Sequence, residues 1–148
     1  MTSGNIIRST RNTAMDLLSR REHSRQELSN KLLQREYTPS EISLALDRLE
    51  QDGLLSDQRF AECFVSQRVA RGYGPIRIRH EMQQRGIDET IVETLLSSSE
   101  LDWTDAMQQQ RKKKFGAELP REYKEKTKQA RFLQNRGFSP ESVMRLFR

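Results

Sequence analysis

The chain repeats itself at intervals of 50 and 51 residues, and this repetition constrains its fold more than any other feature. When Tyr37, Ile87 and Phe138 are aligned, each is preceded by a similar segment, reading QRE, QRG and NRG. Apolar residues coincide in the same frame in three further sets: Leu32, Met82 and Leu133; Ile42, Val92 and Val143; Leu46, Leu96 and Phe147. A repeat of this length indicates consecutive supersecondary units, each too small to bury its apolar face alone.

The residues between these apolar positions are typical of helix ends. The segment SRQE at Ser24 predicts a capping box, and TPSE at Thr38 predicts another, with proline at the first helical position. Asp88 and Ser139 are the corresponding caps of the later units. Gly86 and Gly137 stand where a left-handed residue usually closes a helix. Glu36 holds that place in the first unit, so that turn is either strained or built differently.

An earlier helix is expected to open each unit, near residues 13–22, 57–71 and 104–115, and nothing in the sequence alternates as a strand does. The prediction is an all-α fold of three tandem three-helix, helix-turn-helix-like repeats that form an elongated, curved body. The expected boundaries are an N-terminal tail at 1–12, repeats at 13–56 and 57–101, and a basic third repeat at 102–148.

Positive charge is concentrated in the last third of the chain. The whole chain carries +5, whereas residues 103–148 contain twelve basic and five acidic residues. If one helix covers 121–135, Lys124, Lys128 and Arg131 share a face. Such a face can neutralise phosphates, although an ordinary solvated face is the simpler alternative. The predicted nucleic-acid-binding residues are Arg111, Lys112, Lys113, Lys114, Arg121, Lys124, Lys128 and Arg131.

Neither catalysis nor a cofactor is indicated by the sequence. His23, His80 and Cys63 are too few and too scattered for a metal site, and Cys63 is expected to be a small buried hydrophobe among Phe60, Ala61 and Phe64. The segment GYGP at Gly72 lacks the preceding strand and the third glycine of a phosphate loop, and is expected to be a corner between helices. A lone cysteine and the lack of a long apolar stretch fit a cytoplasmic chain that makes no membrane contact.

Several strings are similar to those of the bacterial RecX regulatory proteins, over roughly residues 14–147. The most specific are RREHSRQEL, GLLSDQRFA, RGYGP and QARFLQNRGF. The resemblance implies a non-enzymatic modulator of the RecA recombinase. Such a protein binds the RecA–single-stranded-DNA filament and limits its growth, ATP hydrolysis, strand exchange and SOS co-protease activity. It also implies some direct affinity for DNA, either single-stranded or double-stranded.

On this basis a division of labour is expected, with the chain acting as a monomer. The first two repeats would contact recombinase protomers, and the basic third repeat would reach DNA. The predicted partner-binding residues are Arg20, Arg21, Arg25, Arg71 and Tyr73. Two alternatives stay open: a helix-turn-helix DNA-binding regulator, and a protein-binding scaffold whose basic end only aids solubility. The acidic or apolar third helices count against the regulator.

Overall fold

The computed structural model describes residues 9–148, and within this range the chain forms nine α-helices and no strand. The all-α prediction is confirmed. The helices are α1 (Thr10–Arg20), α2 (Arg25–Gln34), α3 (Pro39–Gln51), α4 (Asp57–Ala70), α5 (Pro75–Gln84), α6 (Glu89–Leu96), α7 (Trp103–Phe115), α8 (Tyr123–Asn135) and α9 (Pro140–Leu146).

The predicted caps Ser24, Thr38, Asp88 and Ser139 account for four of the nine helix starts in the described residues. Ser24 and Thr38 each accept a hydrogen bond from the backbone N–H three residues on, while Glu27 and Glu41 accept one in return, which completes both capping boxes. Helix α1 begins at Thr10, three residues before the predicted start, because the Ser9 side chain accepts from the N–H of Asn12. Residues 1–8 of the predicted N-terminal tail lie outside the described residues.

The helices are distributed over two compact units. The first unit extends to Cys63 and also includes Arg85–Ile87, and the second contains residues 64–84 and 88–148. In the first unit α1, α2 and α3 pack on one another around an apolar core. The fully buried members of that core are Ala14, Leu28, Leu32, Leu46 and Leu49.

Within the second unit, α8 packs against both α7 and α9. Met107, Leu133, Phe138 and Val143 form the buried centre, and Trp103 closes one side of it. The indole Nε1 of Trp103 donates to the carbonyl of Leu96 at 3.0 Å, so its one polar atom is satisfied.

Both units contain the same type of joint, in which a turn of one repeat lies on the start of the second helix of the preceding repeat. In the first unit, Ser24 Oγ donates to the carbonyl of Arg85 at 2.8 Å. In the second unit, the N–H of Gly74 donates to the carbonyl of Arg136 at 2.7 Å. The contact of Arg85 with Ser24 explains why residues 85–87 belong to the first unit.

The three turns at the end of the second helices all contain a left-handed residue, with φ of 69° at Glu36, 76° at Gly86 and 105° at Gly137. A Cβ on Gly137 would lie 2.5 Å from the Cβ of Arg77, so glycine is required there by space as well as by conformation. Glu36 adopts the same conformation although it has a side chain, so the turn of the first repeat is strained.

The prediction that Cys63 is buried is wrong. Phe60, Ala61, Phe64 and Val65 are buried as predicted, whereas the Cys63 thiol is free and exposed. Successive residues of a helix are about 100° apart, so a residue between two buried pairs points away from the face they share.

Candidate nucleic-acid interface

Three of the predicted lysines, Lys112, Lys113 and Lys114, occupy the last turn of α7 and are exposed. Cations stabilise this end of a helix through its dipole, so the local fold tolerates three like charges in a row. Gly116, with φ of 93°, ends the helix immediately after them.

The first half of α8 carries the second group of predicted cations. Lys124, Lys128 and Arg131 line one open depression, as their spacing of four and three residues predicts. Tyr123, on the first turn of the same helix, lines it too and is 84 % exposed. Arg121 is exposed just before the helix begins. Glu122 and Glu125 also border this depression, so its charge is mixed.

The prediction that Arg111 belongs to the nucleic-acid-binding surface is wrong. Arg111 is 2 % exposed, and its guanidinium donates to the carbonyls of Ala117 and Glu118 and to Gln129 Oε1. Arg111 therefore holds the segment between α7 and α8 in place. A side chain enclosed in this way cannot reach a phosphate.

A second depression in the same unit gathers four cationic side chains from three helices and their ends, and we call it the basic pocket. It is lined by Arg71, Gln110, Lys113, Lys114, Phe132 and Arg136, with no carboxylate among them. Arg136 donates to the backbone carbonyls of Arg71 and Gly72, which fixes its guanidinium at the rim. The Lys114 ammonium lies 5.8 Å from the centre of the Phe132 ring.

Sequence reasoning missed Phe132 and Arg136 as members of this pocket, and it grouped Arg71 with protein contacts. Arg136 was visible only as the repeated arginine before each turn, shared with Arg35 and Arg85. That repetition indicates a turn and says nothing of a pocket. Arg71 reaches the pocket because α4 ends beside α7, a proximity that no local pattern reveals.

Tyr73 is half-buried at the predicted helix corner. The guanidinium of Arg77 lies 3.9 Å from its ring centre, and that of Arg136 lies 4.4 Å from it. The ring is therefore held by cation–π contacts within its own unit. These contacts within the unit compete with the predicted partner contact for the same side chain.

The predicted partner-binding arginines of the first unit are engaged in ion pairs. Arg20 pairs with Asp16 at 3.1 Å, and Arg21 pairs with Glu27 at 3.3 Å. Arg25 pairs with Asp47 at 2.9 Å and also with Glu50. The side chains of Arg20 and Arg21 are 65 % and 48 % exposed, whereas that of Arg25 is 31 % exposed.

His23 and Ser24 are buried at the joint between α1 and α2. His23 Nδ1 lies 3.0 Å from the carbonyl of Arg21, and Lys31 Nζ lies 2.9 Å from Nε2. A neutral ring that donates from Nδ1 and accepts at Nε2 satisfies both contacts. Burial, together with the positive charges of Arg21 and Lys31, lowers the pKa of His23 below its usual value.

The described residues contain no group of three or more His, Cys, Asp or Glu side chains that could hold a metal ion. None of the helices at residues 9–148 is long and apolar enough to cross a bilayer.

The fold and the unpaired cations define a class: a helical protein of tandem three-helix domains with a basic C-terminal domain. Family models for the first, second and third three-helix domains of RecX match residues 11–49, 56–96 and 100–147. The chain belongs to the RecX family.

Relatives and solved structures agree with this assignment. The chain is 48 % identical to the regulatory protein RecX of Pseudomonas fluorescens over 136 residues, covering 92 % of this chain and 88 % of the relative. It is 41 % identical to that of Halorhodospira halophila over 141 residues, covering 95 % and 88 %. The crystal structure of RecX from Lactobacillus salivarius matches in fold with a TM-score of 0.74 and 23 % identity, covering 90 % of this chain and 89 % of that one.

Proposed function

We propose that this chain is a non-enzymatic modulator of a RecA recombinase. In this proposal it binds the RecA–single-stranded-DNA filament in the cytoplasm and limits filament growth, ATP hydrolysis, strand exchange and SOS co-protease activity. Membership of the RecX family is the observation that carries the proposal.

The tandem construction supports a filament as the partner. Three units of one design can each meet equivalent positions on a partner that itself repeats, and avidity then multiplies weak individual contacts. The equivalent joints at Ser24 and Gly74 support this reading, because they fix each turn on the preceding repeat in the same manner.

The first unit is the better candidate for the protein contact. Arg20 and Arg21 are accessible there, and Leu33 and Leu44 are exposed apolar side chains at 46 % and 76 %. Exposed apolar groups beside polar ones are typical of protein-binding surfaces. Arg71 and Tyr73 are weaker candidates, since one lines the basic pocket and the other is held by its neighbours.

The third repeat supplies the proposed auxiliary affinity for DNA. In the described part of the chain, none of the basic residues from Lys112 to Arg148 is paired with a carboxylate, so these charges, unlike that of the buried Arg111, are available to phosphates. Binding through such contacts releases counterions and weakens as salt rises.

The experiment that tests the proposed function is a titration of this protein into preformed RecA filaments on single-stranded DNA, with ATP hydrolysis as the measurement. We expect inhibition at well below one molecule per RecA, because a modulator that blocks growth need not cover the whole filament. A folded protein that binds bare DNA but leaves ATP hydrolysis unchanged would contradict the proposal.

A further inference from the structure

The basic pocket is an anion site by its composition. Arg71, Lys113, Lys114 and Arg136 converge on it from α4, α7 and α8, and no carboxylate lines it. Like charges held this close repel one another, and the repulsion grows as the surroundings exclude water. An anion in the pocket removes this cost, and the two arginines offer the forked donors that suit phosphate.

The aromatic residues indicate which kind of phosphate compound binds. Phe132 forms part of the pocket wall, and its ring lies at 88° to the ring of Phe115 in a T-shaped arrangement. Tyr123 lies nine residues earlier on α8, about 14 Å along the helix axis, and is almost fully exposed. Aromatic faces beside a positively charged path are the usual means of binding unpaired bases. An acidic peptide would use the cations and leave the exposed ring without a role.

Helix α8 also differs from its counterparts in a way that leaves Tyr123 uncovered. Helices α2 and α5 have 10 residues and begin beneath the turn of the next repeat, whereas α8 has 13. When the helix ends are aligned, Glu125 corresponds to Ser24 and Gly74, which contact the turn of the next repeat, and the additional turn of α8 is Tyr123–Glu125. Tyr123 on that turn is 84 % exposed, and Lys124, Lys128 and Arg131 continue from it along α8.

We propose that α8 is a path for single-stranded nucleic acid, with one backbone phosphate in the basic pocket and one base stacked on Tyr123. This inference rests on the nucleic-acid affinity in the proposed function and specifies its ligand: an unpaired strand rather than a duplex. The stacking step requires a free base face, which a duplex does not offer, and the pocket alone accepts either form.

The test measures the affinity of the full chain for fluorescent oligo-dT and for a duplex of equal length, at several salt concentrations. In the double variant R71Q/K114Q we expect roughly a tenfold loss of affinity for oligo-dT, and a salt dependence shallower by about 0.7 because one phosphate contact is gone. In Y123A we expect roughly a tenfold loss for oligo-dT and less than a twofold change for the duplex. Tyr123 is so exposed that its removal leaves the fold intact.

The matched control is R35Q/R48Q, which also removes two positive charges, but from exposed positions of the first unit. It is expected to change affinity less than twofold. Equal losses in R71Q/K114Q and the control would overturn the pocket, and an equal effect of Y123A on both ligands would overturn the stacking. Each variant is also assayed for inhibition of RecA. If R71Q/K114Q loses inhibition but keeps wild-type affinity for oligo-dT, the pocket binds protein and the inference is wrong, while the proposed function stands.

Discussion

The first two repeats and the third use their positive charges differently. Most arginines of the first two repeats are paired with carboxylates of the same unit, as in the pairs of Arg25 with Asp47 and of Arg79 with Glu89 and Glu93. In the described part of the third repeat, the lysines and arginines have no such partner. Charges that are neutralised within the fold contribute little to an outside ligand, whereas unpaired charges attract one. Net charge alone would not reveal this difference, because it depends on which side chains meet.

The largest expected effect is a reversal of charge on α7 and α8. In K114E/K124E/K128E we expect the affinity for single-stranded DNA at low salt to fall on the order of a thousandfold, because three attractive contacts become repulsive. Fluorescence anisotropy measures this loss. The matched control R20E/R35E/R48E reverses three exposed cations of the first unit, and a comparable loss there would break the comparison.

Arg111 is a buried cation of the third repeat that stabilises the fold, so replacing it should affect stability and not DNA binding. We expect R111A to lower the free energy of unfolding by about 3 kcal/mol, because it leaves a cavity and removes the donors to the carbonyls of Ala117 and Glu118. Urea denaturation measures the change. At a temperature where the variant is folded, its DNA affinity should stay within about threefold of wild type. In K113A we expect the free energy of unfolding to stay unchanged and the DNA affinity to fall.

The pH dependence of stability tests whether the first unit keeps the His23 ring uncharged beside Arg21 and Lys31. The pKa of His23 is lowered in the folded state, so the unfolded chain binds a proton first as pH falls below about 6.5. Stability due to His23 is therefore present above that pH and is lost as the solution is acidified. We expect wild type to lose stability between pH 7 and pH 5.5, as measured by urea denaturation.

The variant H23Q should remove most of that slope, since an amide does not titrate. Glu27, whose pKa is lowered by its bonds to Arg21 and to the Ser24 N–H against the opposing effect of burial, titrates below about 4.5 and does not enter this interval. A slope that H23Q leaves unchanged would show that another group is responsible.

The smallest effect concerns the turn after α2, where Glu36 is the left-handed residue. Replacing Glu36 by glycine should stabilise the protein by about 0.5–1 kcal/mol, because its φ of 69° is strained for a residue with a side chain. Thermal denaturation measures it. The converse variant G137A should destabilise by more than this amount, since its Cβ would collide with Arg77. Similar effects at the two positions would contradict the account of the turns.

Local patterns in the sequence predicted the helices, the caps at Ser24, Thr38, Asp88 and Ser139, and the buried apolar positions of each repeat. The capping boxes at Ser24 and Thr38 depend on residues three apart, and the buried Leu32, Met82 and Leu133 follow from the repeat itself. Such features are fixed by neighbours along the chain.

What could not be predicted depends on neighbours in space. Arg111 belongs to the run RKKK, and only the placement of Gln129 and of residues 117 and 118 around it separates it from the exposed lysines. Arg71 and Arg136 are 65 residues apart and meet at one pocket. A sequence shows how many charges a segment has, but pairing and burial decide which of them are available.

Hydrogen–deuterium exchange with and without short oligo-dT tests the central claim most directly, because it reports on every helix in one experiment. The account predicts slower exchange on binding in the last turn of α7 and along α8, and unchanged exchange in α1, α2 and α3. Protection confined to α1–α3, with α7 and α8 unaffected, would contradict it.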